Sequence, residues 1–302
     1  MATREEAQAA RARELTKLRE PFVRATVVRA QRPTSAHAGD TALVLASGEI
    51  DGFLGGTCVE ASVREYSLQS LATAEPMLLR VVPGEPSHPQ EEGAVEVTNP
   101  CLSGGAIEIF LEPQVPAPRV VVVGGTPVAE ALAALGAILE FDVELVPGSA
   151  AEPRAEDAAL IVASHGREEE PALEAALRAG VPYIALVASE IRGSAVVASL
   201  EVEDALRSRV HTPAGLRLGG QTPAEIALAI LAELVSVRAA ARATAPAPDA
   251  GPATAIDPVC GMSVAAVEAS LHTDHEGVRV YFCAPGCKKA FLKDPERYAA
   301  AS

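Results

Sequence analysis

The stretch RVVVVGGTPVAEALAALG, residues 119–136, decides how the middle of this chain folds. Val120 to Val123 form an unbroken apolar run, so a strand here must be buried on both faces. Gly124 and Gly125 end that run. Thr126 and Pro127 then open a helix, threonine as the N-cap and proline at the first helical position. Strand, glycine turn and helix make the opening unit of a parallel α/β sheet. The rhythm repeats downstream, with strands at DVELV (142–146), AALIVAS (158–164), PYIALVA (182–188) and RVHTP (209–213). Helical patterns fall at 127–139, 168–179 and 223–238. The expected fold class is therefore α/β, with a Rossmann-like, doubly wound parallel sheet over residues 119–238.

Open α/β sheets hold ligands at the carboxyl ends of their strands. Three loops are candidates there. The first carries Gly124, Gly125 and Thr126. A dinucleotide fingerprint needs glycine for the turn, glycine for the pyrophosphate and a small residue for helix packing. Gly124 and Ala129 satisfy the first and third places, and Thr126 fails the second. The next strand ends in LVPGS, where an acid would be needed for the ribose hydroxyls of NAD, so NAD(P) binding is disfavoured. The second loop, SHG, presents Ser164, His165 and Gly166 before a helix. The third runs through Gly219 and Gly220 into Thr222 and Glu225, spaced as a capping box with Pro223 between them. A glycine run ahead of a capped helix is a candidate anion cradle.

Ahead of residue 119 the pattern differs. A charged helix over 4–20 precedes strands at 22–30, 41–46, 49–54, 77–82 and 104–112, with one helix over 59–72. Ser47-Gly48 reads as a hairpin turn. Runs of strands about one helix predict an α+β domain over 1–115, and EPQVPAP (112–118) separates it from the sheet of 119–238. Residues 239–255 read as an Ala/Pro linker, and 256–302 as a further small module.

Composition narrows the functional classes. The formal charge of -15 repels phosphate backbones, so no nucleic-acid partner is expected. Aromatics make up 3% and Trp is absent, so the cores must be aliphatic. The first twenty residues lack an apolar signal core, and the most apolar long stretch, 120–139, is interrupted by glycine, proline and glutamate. A cytoplasmic protein with no membrane span and reduced thiols is expected.

The cysteines fall into two groups. GGTCVE (55–60) and NPCLSGG (99–105) each set a cysteine beside a glycine pair. Each cysteine thus lies beside backbone free of side chains and open to close approach, and a thiolate is a soft ligand. Gly55, Gly56, Cys58, Cys101, Gly104 and Gly105 are therefore candidate ligand-binding residues. The second group is Cys260, Cys283 and Cys287, a metal-ligating pattern suited to zinc, copper or iron, with His272, Asp274 or His275 open as a fourth ligand.

The last module, with DPVCGM, YFC, Cys287, Phe291, DP and Tyr298, resembles the YHS domain, which implies heavy-metal binding through the cysteines. GFLGGTCVEASV, NPCLSGGAIEIFLEP, VASHGREEEPALEAALRAGVPYIALVAS and TPAGLRLGGQTPAEIALAILAELV, in order over roughly residues 15–238, resemble the XdhC/CoxI family. That resemblance implies an accessory chaperone, not an enzyme, that binds molybdenum cofactor and assists its insertion into a molybdenum hydroxylase. The client would be a xanthine dehydrogenase or an aerobic carbon monoxide dehydrogenase. The implied partners are the large subunit of that enzyme and a cysteine desulfurase; separately, the apolar first domain suits homodimerisation. Two alternatives stand beside it: an NAD(P)-dependent oxidoreductase, and a soft-metal carrier or sensor acting through the terminal module.

Overall fold

The computed structural model describes residues 4–84, 91–99, 105–244 and 251–299. The chain divides into two compact units, Met1–Pro116 with Pro246–Ser302, and Ala117–Ala245.

The first unit opens with α1 (Arg4–Leu18), then β1 (Phe22–Gln31), β2 (Thr41–Leu45), β3 (Ile50–Gly52), α2 (Thr57–Thr73), β4 (Met77–Val82), β5 (Ala94–Thr98) and β6 (Ala106–Gln114). The strands form one sheet in the order β3-β2-β1-β6-β4-β5, antiparallel except for the parallel pair β4–β5. Burial alternates along β1 as its sequence does: Val23, Ala25 and Val27 point into the core, while Arg24 faces out. Val59 and Val63 of α2 lie against that same face, and Ala12 and Leu15 of α1 cover Phe22 and Leu43 on the other. The Ser47-Gly48 turn forms as expected, with Gly48 at φ +85°. Strand β6 runs through Gln114, so the Pro-rich stretch 112–118 begins inside the sheet and separates the units only after that residue.

The second unit runs β7 (Arg119–Val123), α3 (Pro127–Ile138), β8 (Asp142–Val146), β9 (Ala159–Val162), α4 (Glu169–Ala179), β10 (Ile184–Leu186), α5 (Glu190–Ser199), α6 (Asp204–Arg207), β11 (Val210–His211) and α7 (Pro223–Thr244). All its strands are parallel, in the order β11-β10-β9-β7-β8. Helices α3 and α7 bury Leu132, Ile230 and Leu234 against one face, and α4 and α5 cover the other through Leu173, Leu177 and Val197. This is the expected doubly wound α/β sheet. Numbered from β7, its strand order is 2-1-3-4-5, unlike the 3-2-1-4-5 order of dinucleotide-binding sheets, and it reverses between β7 and β9. Helix α7 continues to Thr244, so residues 239–244 extend the helix where the Ala/Pro composition suggests a linker.

The remainder of the first unit is the terminal module, comprising β12 (Thr254–Ile256), β13 (Ser263–Ala265), β14 (Leu271–His275), β15 (Val278–Phe282), α8 (Pro285–Lys293) and α9 (Glu296–Ala299). Strands β12 and β13 pair, and β14 and β15 form a hairpin. The module's core of Met262, Val264, Phe282, Cys283, Cys287 and Phe291 takes in Ala61 from α2. Helix α2 thus carries two buried faces. Val59 and Val63 serve the sheet, while Ala61 and Glu65, also four residues apart, face the module.

Candidate functional site

A cleft of about 690 Å³ opens at the strand-order reversal, between the carboxyl ends of β7, β8 and β9. The glycine pair at the end of β7 splits into two roles. Gly124 has φ +121°, and a Cβ there would sit 2.4 Å from the Ala163 carbonyl oxygen. It keeps two strand ends together. A Cβ on Gly125 would meet nothing within 4 Å, so this residue faces open space. Thr126 caps α3 by accepting from Ala129 N at 3.3 Å, and its hydroxyl donates to the Ala163 carbonyl at 2.9 Å. Its side chain therefore serves the fold.

The Ser164-His165-Gly166 loop is held from beneath by Glu169, which is 2% exposed. Its Oε1 accepts from Ser164 Oγ at 3.1 Å and from Gly166 N at 2.7 Å, and its Oε2 pairs with Arg192. Burial pushes the Glu169 carboxyl up, but Arg192 and the two donors outweigh it and hold the group below the usual carboxylate range. Ser164 and Gly166 are engaged in this clamp. His165, at φ +55° and exposed, is the member left facing out. It lines both the main cleft and a neighbouring one of about 490 Å³ that runs along Val187, Ser189, Arg192 and Pro213.

At the end of β8 the cleft wall is Leu145, Val146 and Pro147. Glu144 turns to Arg119 at 2.8 Å, and Arg119 also pairs with the buried Asp157 at 2.9 Å. The acid within this strand is thus engaged away from any ribose.

The capping box forms reciprocally. Thr222 N donates to Glu225 Oε2 at 2.9 Å and Glu225 N donates to Thr222 Oγ1 at 3.3 Å. Gly219 is open, whereas a Cβ on Gly220 would meet that of Glu225 at 2.7 Å. Beside this loop lies a cluster the sequence did not announce. Glu233 Oε2 accepts from Tyr183 Oη at 2.6 Å and from Gly215 N at 2.9 Å, and its Oε1 lies 3.2 Å from His211 Nδ1. Burial and the Glu233 charge push the Tyr183 hydroxyl up strongly. Its members come from β11, the loop that follows it, α7 and the segment before β10, with no local motif to join them.

In the first unit, Gly56 is the N-cap of α2 and brings no side-chain cap, and Cys58 lies in the first helical turn. The Cys58 side chain, Cys101 and Gly104 lie outside the described residues. The flanking glycines are placed. A Cβ on Gly55 would lie 3.5 Å from that of Ala36, and one on Gly105 would lie 2.1 Å from the Pro33 carbonyl oxygen. Gly55 and Gly105 thus both border the turn after β1. Gly105 is a close-packing glycine, whereas Gly56 is open.

The terminal thiols gather as the spacing suggests. Cys260 and Cys283 Sγ are 3.5 Å apart, and Cys283 and Cys287 Sγ are 3.8 Å apart. The fourth group beside them is Asp257, with ligand atoms of all four within 4.8 Å. This corrects the expectation of His272, Asp274 or His275. His272 Nδ1 faces the Ser270 carbonyl at 2.8 Å, Asp274 pairs with Arg279 at 3.4 Å, and the His275 ring sits edge-on to Phe291. Asp257 is fully buried and accepts from Val259 N at 2.9 Å and Cys283 N at 2.8 Å, which ties both cysteine-bearing loops together. The hydrogen bond between Cys260 and Cys283 lowers the Cys260 thiol below the usual value, while the same bond and burial push Cys283 up. Burial raises Cys287. Three soft donors and a carboxylate so arranged could hold one soft metal ion.

Comparison with known families matches residues 15–82 to the XdhC and CoxI family and residues 120–234 to the XdhC Rossmann domain. The chain belongs to the XdhC and CoxI family. Residues 255–302 match the YHS domain, so this XdhC-family chain carries that module at its C-terminal end. An uncharacterized Escherichia coli K12 protein, YqeB, is 30% identical over 246 residues, covering 72% of this chain and 44% of YqeB. The chain thus spans less than half the length of that curated relative. A crystal structure described as a xanthine dehydrogenase from Bacillus halodurans superposes with a TM-score of 0.39 at 16% identity, over 79% of this chain and 98% of that one. The XdhC Rossmann match contains the cleft, its Glu169 clamp and the Glu233 cluster.

Proposed function

We propose that this XdhC-family protein is an accessory factor for the maturation of a xanthine dehydrogenase-type molybdenum enzyme. It binds the molybdenum cofactor and passes it on without turning over a substrate. The observation that carries this reading is the approach of Gly55 and Gly105 to the turn after β1, at Ala36 and Pro33. It brings the uncapped start of α2, the turn that includes Cys58, and Gly105, four residues after Cys101 in sequence, to one turn of the chain. An open glycine and uncapped N–H groups suit an anionic pterin, and a thiolate suits its metal centre or a sulfur bound for it. When bound, the cofactor supplies redox chemistry to the client. The chain's own part is to hold the anion, offer a soft donor and exclude competing ligands. The partners are the large subunit of the client and a cysteine desulfurase, in the cytoplasm; among the described residues no helix is long and apolar enough to cross a membrane. The terminal module holds one soft metal ion through Cys260, Cys283 and Cys287, with Asp257 beside them.

The test is the pterin content of the full chain, purified from a host that makes the cofactor and oxidised to its fluorescent derivative. Stoichiometric pterin, lost in Cys58→Ala or Cys101→Ala, is expected. Pterin-free protein, under conditions where a known cofactor binder retains it, sinks the proposal.

A second reading draws on the cleft at the strand reversal, whose 690 Å³ suits a nucleotide. It predicts enhanced NADH fluorescence on titration. The apolar end of β8 argues against it.

A further inference from the structure

Where the start of α2 meets the terminal module, a cleft of about 400 Å³ is lined by Thr57, Glu60 and Arg64 of α2 and by Ser270, His272 and Lys288 of the module. In a chain of net charge -15 this wall gathers cations. Arg64 donates Nε to the Gly48 carbonyl at 2.7 Å, and among the described residues its terminal nitrogens meet no acceptor. Burial pulls its pKa below the usual value despite the nearby Glu60 carboxylate. Lys288 Nζ donates to the His272 carbonyl at 2.6 Å and keeps further protons to give. Helix α2, seventeen residues long, turns its uncapped N-terminal end to the cleft at Thr57.

One more group asks for a ligand. Ser270 is 3% exposed and lines the cleft, and its hydroxyl is buried with no hydrogen-bond partner among the described residues. A buried hydroxyl left unpaired loses its bonds to water without replacement, so such groups are normally satisfied. Glu60 is the opposing charge; two cations, a helix end and a hydroxyl face it.

We propose that this cleft binds a tetrahedral oxyanion, held by Arg64, Lys288, the Ser270 hydroxyl and the first turn of α2. The inference deepens the cofactor reading above and rests on it only for the source of the anion: the phosphate of the pterin, or a free oxyanion of the molybdate type. Cys283 lines the same cleft, so the anion lies alongside the thiol cluster.

The experiment uses the full chain with inorganic phosphate as the probe, followed by phosphorus NMR line broadening. Millimolar or tighter binding is expected in the wild type. Lys288→Gln should weaken it about tenfold, the worth of one charge-assisted hydrogen bond. Ser270→Ala should weaken it several-fold without lowering the melting temperature, because its hydroxyl holds nothing in the fold. Absence of broadening in the wild type, or unchanged binding in both variants, overturns the inference whatever the pterin content. Pterin lost from both variants assigns the anion to the pterin phosphate; pterin retained while phosphate binding falls assigns it to a free oxyanion. Phosphate binding in a wild type that never carries pterin keeps this site and removes the cofactor reading.

Discussion

At the scale of single residues, neighbours that look alike in sequence have opposite duties. Gly124 and Gly125 are adjacent, yet only Gly124 needs a positive φ and the space a Cβ would take from the Ala163 carbonyl. Gly124→Ala is expected to destabilise the second unit by at least about 2 kcal/mol, and Gly125→Ala by less than about 0.5 kcal/mol, in urea unfolding. If Gly125→Ala also weakens a bound ligand, the open face of the cleft is in use. Glu169 gives a prediction with a pH dependence. Its folded carboxyl lies below the ordinary range, so its contribution is present above the unfolded pKa and is lost as pH falls through the folded one. Glu169→Gln should cost about 1–3 kcal/mol at pH 7 and remove part of the acid sensitivity below about pH 4, read from urea midpoints across a pH series. The sequence placed His165 and its neighbours in a strand-end loop. It could not show that Ser164 and Gly166 are bound to Glu169 and that only His165 faces out, because that division depends on a carboxylate anchored from α5 by Arg192.

Among the elements, legibility followed the range of the forces. The start of α3 at Thr126-Pro127 and of α7 at Thr222-Pro223 were readable because capping is settled within four residues. Thr222→Ala is expected to cost about 1 kcal/mol by removing one half of the box, with faster amide exchange confined to the first turn of α7. An unchanged exchange rate there would mean that tertiary contacts, not the cap, hold that end. Helix α5 escaped notice for the opposite reason. EIRGSAVVAS contains glycine, serine and paired valines, all poor helix formers. It forms because Gly193 lets the chain lie against Thr212, whose Oγ1 would be 2.0 Å from a Cβ at that position, and because Val197 packs on the sheet. Strand β5 was missed as well. It is a short strand that runs parallel to β4 at the end of the sheet order, a pairing that alternation alone does not reveal.

For the molecule as a whole, the sequence divided the chain by composition, while contacts join the terminal module to the first domain through α2. Ala61 is the small residue that permits this, 2% exposed within the module's core, with Ser263 Oγ donating to Glu65 Oε1 at 2.9 Å beside it. Neither contact could be foreseen, since Glu65 and Ser263 stand far apart in sequence and an alanine on a helix carries no signal. Asp257 was overlooked for a related reason: a histidine is the commoner partner of three thiols, and only the fold shows Asp257 bridging the Val259 and Cys283 backbones. The thiols already stand 3.5 and 3.8 Å apart with that carboxylate beside them, so a soft ion needs little rearrangement to enter. Because the cluster belongs to a core shared with α2, binding energy should appear as stability of the first unit. Titration of the full chain with copper(I) or zinc under reducing conditions is expected to load one ion, release protons and raise the melting transition of the first unit, leaving that of the second in place. Cys287→Ser should abolish the shift, and chelation should reverse it. Ala61→Arg should uncouple the two, with the ion still bound but α2 no longer protected from amide exchange by loading. Loading that leaves α2 exchange unchanged in the wild type would mean that the module binds its metal independently of the domain on which it rests.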